Sequence, residues 1–175
     1  MSKTTYVANP MSRKDIYKVA RVMRIFSKRD SETYFDIVKF LEYDMLKLDP
    51  DFYLEIVPDE EMGVKHAEAS PSEHTIRIAQ SVYDGAISGN GRDRGTCAHE
   101  VGHYIMHNES SVRCARVHES VPTYQDPEWQ AKVFQSALLA PGHIIRNMSV
   151  DEVARECGIS WDAAYIHVSK IRARR

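Results

Sequence analysis

The sequence predicts an α+β fold: a small three-stranded sheet, mixed or antiparallel, packed with helices around one helix that carries H-E-x-x-H. Three observations lead there. Two helical patterns open the chain, short β-rich stretches gather between residues 52 and 79, and helical periodicity returns from about residue 92. A length of 175 residues fits one domain. Within it, 1–49 reads as N-terminal helices, 50–142 as the core and 143–175 as a C-terminal helical hairpin.

The first helix is expected over 12–28. Ser12 is a candidate N-cap, and Ile16, Val19, Ala20 and Met23 recur at helical spacing. A second is expected over 32–47, with Phe35, Val38, Leu41, Met45 and Leu46 as its apolar face, and Asp49-Pro50-Asp51 ends it. Phe52 to Val57 reads as a strand stopped by Pro58. Val64–Ala69 and Thr75–Ala79 read as two more, joined by the turn chemistry of Ser70-Pro71-Ser72-Glu73 into a hairpin. Gly85, Gly89, Gly91 and Gly95 suggest a loop of about ten residues. Helices are then expected at 92–107, 127–139, 149–157 and 160–172.

Composition excludes several classes. Apolar residues are 43% and charged residues 27%, which is not collagen-like, disordered or membrane-embedded. No apolar run is long enough for a transmembrane helix, and the opening residues lack the apolar region of a secretory signal. Cys97, Cys114 and Cys157 are odd in number and irregular in spacing, so a reducing cytoplasm is the expected setting. The net charge of −2 calls for no nucleic-acid partner. Charge is uneven, however. Residues 1–29 hold eight Lys/Arg against Asp15, and residues 30–61 hold eleven Asp/Glu against Lys39 and Lys47. Two solvated helix faces of opposite sign are expected, either of which can also hold a complementary partner.

The chemistry-bearing stretch is Cys97-Ala98-His99-Glu100-Val101-Gly102-His103-Tyr104-Ile105-Met106-His107. On a helix, residues four apart share a face, so His99 and His103 can each offer one nitrogen to a single Zn²⁺. Glu100 lies beside them and can accept a proton from water activated there. Gly102 is costly in a helix interior and suggests close packing. Cys97 falls on the far side of the helix and reads as a core thiol. His107 lies one turn beyond His103, too far to join the same tetrahedron, and reads as a core histidine or a support for a ligand.

The third ligand must come from elsewhere. The H-E-x-x-H-x-x-G-x-x-H class is excluded, because Met106 and Glu109 stand at its Gly and His positions. Asp126-Pro127-Glu128 reads as a helix start, with Glu128 in the first turn. A carboxylate there completes a His₂Glu set. Asp126 and His118 are the alternatives. Such a set also admits Mn²⁺ or Fe²⁺.

These residues together resemble the ImmA/IrrE-type metallopeptidases of bacteria, phages and mobile elements, over roughly residues 50–142. One block is Arg92-Asp93-Arg94-Gly95-Thr96-Cys97-Ala98-His99-Glu100-Val101-Gly102-His103. The other runs from Asp126 through Glu128-Trp129-Gln130-Ala131-Lys132-Val133-Phe134 to Leu138-Leu139-Ala140-Pro141. The resemblance implies a gluzincin-like fold, His99, His103 and Glu128 as zinc ligands, and Glu100 as base. It also implies an endopeptidase whose substrate is a helix-turn-helix repressor, aligned on a sheet edge at the 64–79 hairpin. Gly95, Lys132, Gln135 and Ala140 depart from the family pattern, and Lys132 is placed to pair with Glu128.

A rival reading rests on Met148–Ala164. Ser149 and Glu152 suggest a capping box, Gly158 ends that helix and Ser160 caps the next, which is helix-turn-helix spacing. That points to a DNA-binding regulator. However, Trp161, Ala163, Ala164, Tyr165 and Ile166 stand where base-reading polar residues belong, which favours a packing hairpin. A zinc-holding scaffold or toxin without turnover is the third reading. Among the remaining residues, Tyr83, Tyr104 and Tyr124 read as core or rim with one a candidate oxyanion donor. His66 and His74 read as exposed loop histidines.

Overall fold

The computed structural model describes residues 4–108, 112–116 and 121–173. Strand β1 (Thr4–Ala8) leads into helix α1 (Arg13–Phe26). Ser12 caps α1 as expected and closes a capping box with Asp15. Next come α2 (Ile37–Lys39), a π-helical turn (Phe40–Asp44) and α3 (Met45–Leu48), without a break.

The helix expected over 32–47 thus starts late. The carbonyls of Glu32 and Phe35 accept from the guanidinium groups of Arg24 and Arg94, both fully buried. Those carbonyls are committed to side chains, so regular helix begins only after Asp36, whose carboxylate caps the Lys39 amide.

Strand β2 (Tyr53–Val57) and the short α4 (Asp59–Met62) precede β3 (Ala67–Ser70) and β4 (Thr75–Ala79). Strand β4 is central, parallel to β2 and antiparallel to β3, so the three-stranded sheet is mixed. The β3–β4 hairpin forms as expected through a 3₁₀ turn at Pro71–Glu73, but β3 begins at Ala67 and leaves Val64 exposed. A second sheet was not anticipated: β1 pairs antiparallel with β5 (Val112–Arg116). A five-residue segment whose partner lies a hundred residues away leaves no local pairing signal.

Helix α5 (Gln80–Ile87) and helix α6 (Gly91–Met106) replace most of the expected glycine loop. Only residues 88–90 connect them. These glycines mark close approach. A Cβ on Gly85 would collide with Asp93, and one on Gly91 would lie 2.6 Å from the backbone of Ile159 and Ser160. Four helices complete the chain: α7 (Pro127–Leu139), α8 (Gly142–Ile145), α9 (Val150–Cys157) and α10 (Trp161–Arg172). Helix α7 matches its expected span. Ser149 with Glu152 forms the expected capping box of α9, Gly158 ends it in the left-handed region, and Ser160 caps α10.

Helix α6 lies between the mixed sheet and α7. Its Cys97, Ala98 and Val101 are buried with Ile76 and Ile78 of β4 and Phe134 and Leu138 of α7. A smaller cluster, Ala140, Ile145, Val153, Cys157, Ala164 and Val168, seats the C-terminal hairpin. Arg94 fastens it by donating to the carbonyls of Cys157 and Gly158 while stacking 3.8 Å over the Tyr34 ring.

The charged segments are only partly solvated. Lys14, Lys18 and Lys28 are exposed, but Arg24, Arg29 and Asp44 are buried. Arg29 pairs with Asp44, and Arg21 with Asp30. Two of the basic residues are therefore paired with the acidic segment.

The α6–α7 crossing depends on two glycines a heptad apart. A Cβ on Gly95 would lie 2.6 Å from Gln135, and one on Gly102 would lie 2.9 Å from the Phe134 ring. Gly102→Val is expected to lose about 1–3 kcal/mol through overpacking, measurable as a lowered denaturant midpoint at an unchanged slope.

Candidate metal centre

The helical register of α6 turns His99 and His103 to the face that meets α7. Asp126 caps α7 by accepting the Glu128 amide at 2.9 Å, and Pro127 occupies the first helical position. This start sets Glu128 at the lip of α7, over the two imidazoles. The three side chains converge. His99 Nε2 and His103 Nε2 are 3.0 Å apart, and each lies 3.2 Å from a Glu128 oxygen.

These separations test the donor set. Ligand distances of about 2.0–2.2 Å in a tetrahedral zinc site give edges of about 3.3–3.5 Å. The observed separations are within a few tenths of an ångström of that, and the donors are two imidazole nitrogens and a carboxylate that turns a different oxygen to each. Such lone pairs repel one another unless a proton or a cation lies among them. The residues fit a divalent ion of the zinc type. The histidines are largely buried and Glu128 is exposed, so the set opens on solvent.

Glu100, on the adjoining strip of α6, faces the sheet. Its Oε2 accepts the amide of Ala69 in β3 at 2.9 Å. Burial pushes its carboxyl up to about 7, while the Ala69 amide pulls it down and the Glu128 charge pushes it further up. Burial also holds His99, His103 and His107 below the ordinary histidine value.

The alternatives for the third position go elsewhere. Asp126 is engaged in capping, and His118 lies outside the described residues. Lys132 does not pair with Glu128. It is exposed, and Glu128 pairs with the two histidines. Cys97 is fully buried, its thiol pushed up to about 12. Tyr83 and Tyr104 donate to Glu42 and Asp49 respectively, which leaves neither hydroxyl proton for an oxyanion, and Tyr124 is exposed.

His107 packs against His103. Its Nδ1 lies 2.9 Å from His103 Nδ1, and its Nε2 lies 2.9 Å from Gln130 Oε1. Gln130 has no exposure at all, and sequence reasoning gave it no part. A glutamine on the buried face of an otherwise apolar helix stripe is the signal that could have found it.

His74 is not a free loop histidine. Its Nδ1 binds Asp49 at 2.7 Å, and the same carboxylate oxygen accepts from Tyr104 of α6. Asp49, Asp51 and His74 form a second group of nearby donors, in which the Asp49 carboxylate is already engaged by His74, Tyr104 and the Asp51 amide.

No family model matches this chain, and no curated protein matches it. Among solved structures it is similar to a Mycobacterium tuberculosis transcriptional regulator, with a TM-score of 0.52 at 13% identity. The match covers 86% of this chain and 45% of that one, so the chain spans under half of that protein's length. At this identity the likeness shows a shared α+β fold.

The Asp49 clasp ties the β3–β4 turn to α6, and its pH dependence follows from two opposite shifts. The hydrogen bond and charge of Asp49 raise His74 above 6.5, whereas the Tyr104 hydroxyl and then His74 lower Asp49 below 3.8. The His74 contribution is complete below 6.5 and is lost as pH rises through its raised value. The Asp49 contribution is complete above 3.8 and is lost as pH falls through its lowered value. The clasp is therefore strongest between those ordinary values. An NMR titration should place His74 above 6.5, and Asp49→Asn should return it toward 6.5.

Proposed function

We propose that this chain is a zinc-dependent endopeptidase acting on a specific protein. The observation that carries the reading is the meeting of His99, His103 and Glu128 from two helices at mutual distances of 3.0–3.2 Å, with Glu100 on the next strip of α6. When bound, the ion supplies Lewis acidity, making water a nucleophile near neutral pH and polarising a carbonyl.

The chain's own residues do the rest. Glu100 accepts the proton of the attacking water at its carboxylate and returns it to the departing amine. Its bond to Ala69 fixes the carboxylate between strand and metal site. Among the described residues strand β3 is an edge strand, with β4 as its one neighbour in the mixed sheet. A substrate segment can add along that free edge through main-chain hydrogen bonds beside Glu100. Such an alignment would carry the scissile carbonyl past the open side where Glu128 lies.

The resemblance to ImmA/IrrE-type enzymes supports a helix-turn-helix repressor as the substrate, cut in the cytoplasm. No helix of the described residues is long and apolar enough to cross a membrane.

A second reading has its own observation. Helices α9 and α10 keep helix-turn-helix spacing, and the similar solved structure carries the name of a transcriptional regulator. Against direct DNA reading, Trp161 and Tyr165 stack on each other at the exposed start of α10, where polar base readers belong. Salt-dependent filter binding to duplex DNA separates the two readings.

Protein purified without added metal is expected to carry one zinc per chain by elemental analysis, and the His99→Ala, His103→Ala double variant none. Glu100→Gln should keep the zinc and the fold but cleave the repressor about 10²–10⁴-fold more slowly. Casein should resist the wild-type enzyme, and a chelator should stop repressor cleavage. Cleavage that survives chelation rules out the metallopeptidase reading.

A further inference from the structure

Gln130 sits on the buried face of α7, and its amide is fully committed. Its nitrogen lies 2.9 Å from the carbonyl of Asn9 and 2.8 Å from the carbonyl of Tyr124. Carbonyls only accept, so the end of the amide that faces both must be the NH₂ group. Both of its protons are spent there. The other end, Oε1, can only accept, and the group beside it is His107 Nε2 at 2.9 Å. His107 therefore carries its proton on Nε2.

A neutral imidazole has one N–H, so His107 Nδ1 is a bare acceptor. It lies 2.9 Å from His103 Nδ1, which must then be the donor. With its proton on Nδ1, His103 has a bare lone pair on Nε2, the atom that stands 3.0 Å from His99 Nε2 and 3.2 Å from Glu128. Four hydrogen bonds thus donate in one direction, from His103 Nδ1 through His107 and Gln130 to two backbone carbonyls.

We propose that His107 and Gln130 are positioning residues that lock His103 into the Nδ1–H tautomer, so that its Nε2 is presented as a ready ligand. The proposal rests on the metal reading of this site. Ligating histidines are commonly oriented by an acceptor on the second nitrogen, often a carboxylate. Here the acceptor is another imidazole, and the chain ends on a neutral amide. The anchoring carbonyls belong to the segment after β1 and to the 3₁₀ turn (Thr123–Gln125) before α7. The orientation of one ligand on α6 is therefore tied to two other parts of the chain. Reversing the order of types, with a donor at the Gln130 end, would leave His103 protonated on the nitrogen that faces the ion.

The test uses the full-length protein, metal-free, labelled with ¹⁵N in histidine and held at pH 8. Two-bond ¹H–¹⁵N correlations distinguish the tautomers directly and need no activity. In the wild type, His103 is expected in the Nδ1–H form and His107 in the Nε2–H form. His107→Phe removes the acceptor, so His103 should become a tautomer mixture and zinc affinity should fall about 10–100-fold. His107→Gln keeps an acceptor and a donor on one amide and should recover much of both.

Gln130→Met removes the anchor, but it strands two carbonyls and can cost folding, so the His107 pair carries the decision. A wild-type His103 protonated on Nε2 would overturn the proposal. So would a folded His107→Phe protein whose His103 tautomer and zinc affinity match the wild type. If the tautomers are as stated but the wild type binds no zinc, the metal reading falls and the relay stands.

Discussion

The structure depends on how closely α6 and α7 can approach. Two imidazoles on one helix and a carboxylate on another make a metal-sized triangle only if the helix axes lie near enough for short side chains to meet. Gly95 and Gly102 remove the Cβ atoms that would hold the helices apart, and Gln135 and Phe134 fill the space. The same crossing buries Gln130 against the segment before α7 and so reaches His107. Glycine in a helix interior costs about 1 kcal/mol relative to alanine. Here that local loss is offset by the packing of the two helices.

Two buried arginines perform a second kind of work. Arg24 and Arg94 have no exposure, and the hydrogen bonds they make go to main-chain carbonyls, while Arg24 Nε and Arg94 Nη1 have no partner among the described residues. Arg24 reaches Leu138 at the end of α7 and Glu32, and Arg94 reaches Phe35, Cys157 and Gly158. Burial lowers both guanidinium groups below the usual arginine value. They act as planar donors that gather the ends of helices and an irregular segment around the core. Aromatic faces of Phe35 and Tyr34 lie against them.

Around the metal-sized triangle the environment is graded. Glu128 is exposed, the histidines are largely buried, and Glu100 is buried enough to be driven toward neutrality. The buried side is organised by neutral hydrogen bonds through His107 and Gln130. The exposed side is left to solvent and to whatever lies along the free edge of β3. The Asp49 clasp holds the turn that follows β3 to α6 through Tyr104, so the C-terminal end of β3 and its turn are both tied to the helix that bears Glu100.

What the sequence alone determined was local. Helix starts at Ser12, Asp126, Ser149 and Ser160, the stop at Gly158, the β3–β4 turn and the shared face of His99 and His103 all follow from interactions within a few residues, and each stands in the structure. Glu128 was legible because a first-turn carboxylate is a local feature too. Tertiary structure decided the rest. Residues 32–36 stay irregular because guanidinium groups from distant helices take their carbonyls. Gly85 and Gly91 lie in helices because neighbours press on them, and β1 is a strand because β5 is there to pair with it. Gln130 and His74 acquire their partners only when separate segments meet. Propensity and capping act over one turn of chain, whereas burial, close approach and long-range hydrogen bonds depend on which segments the fold brings together.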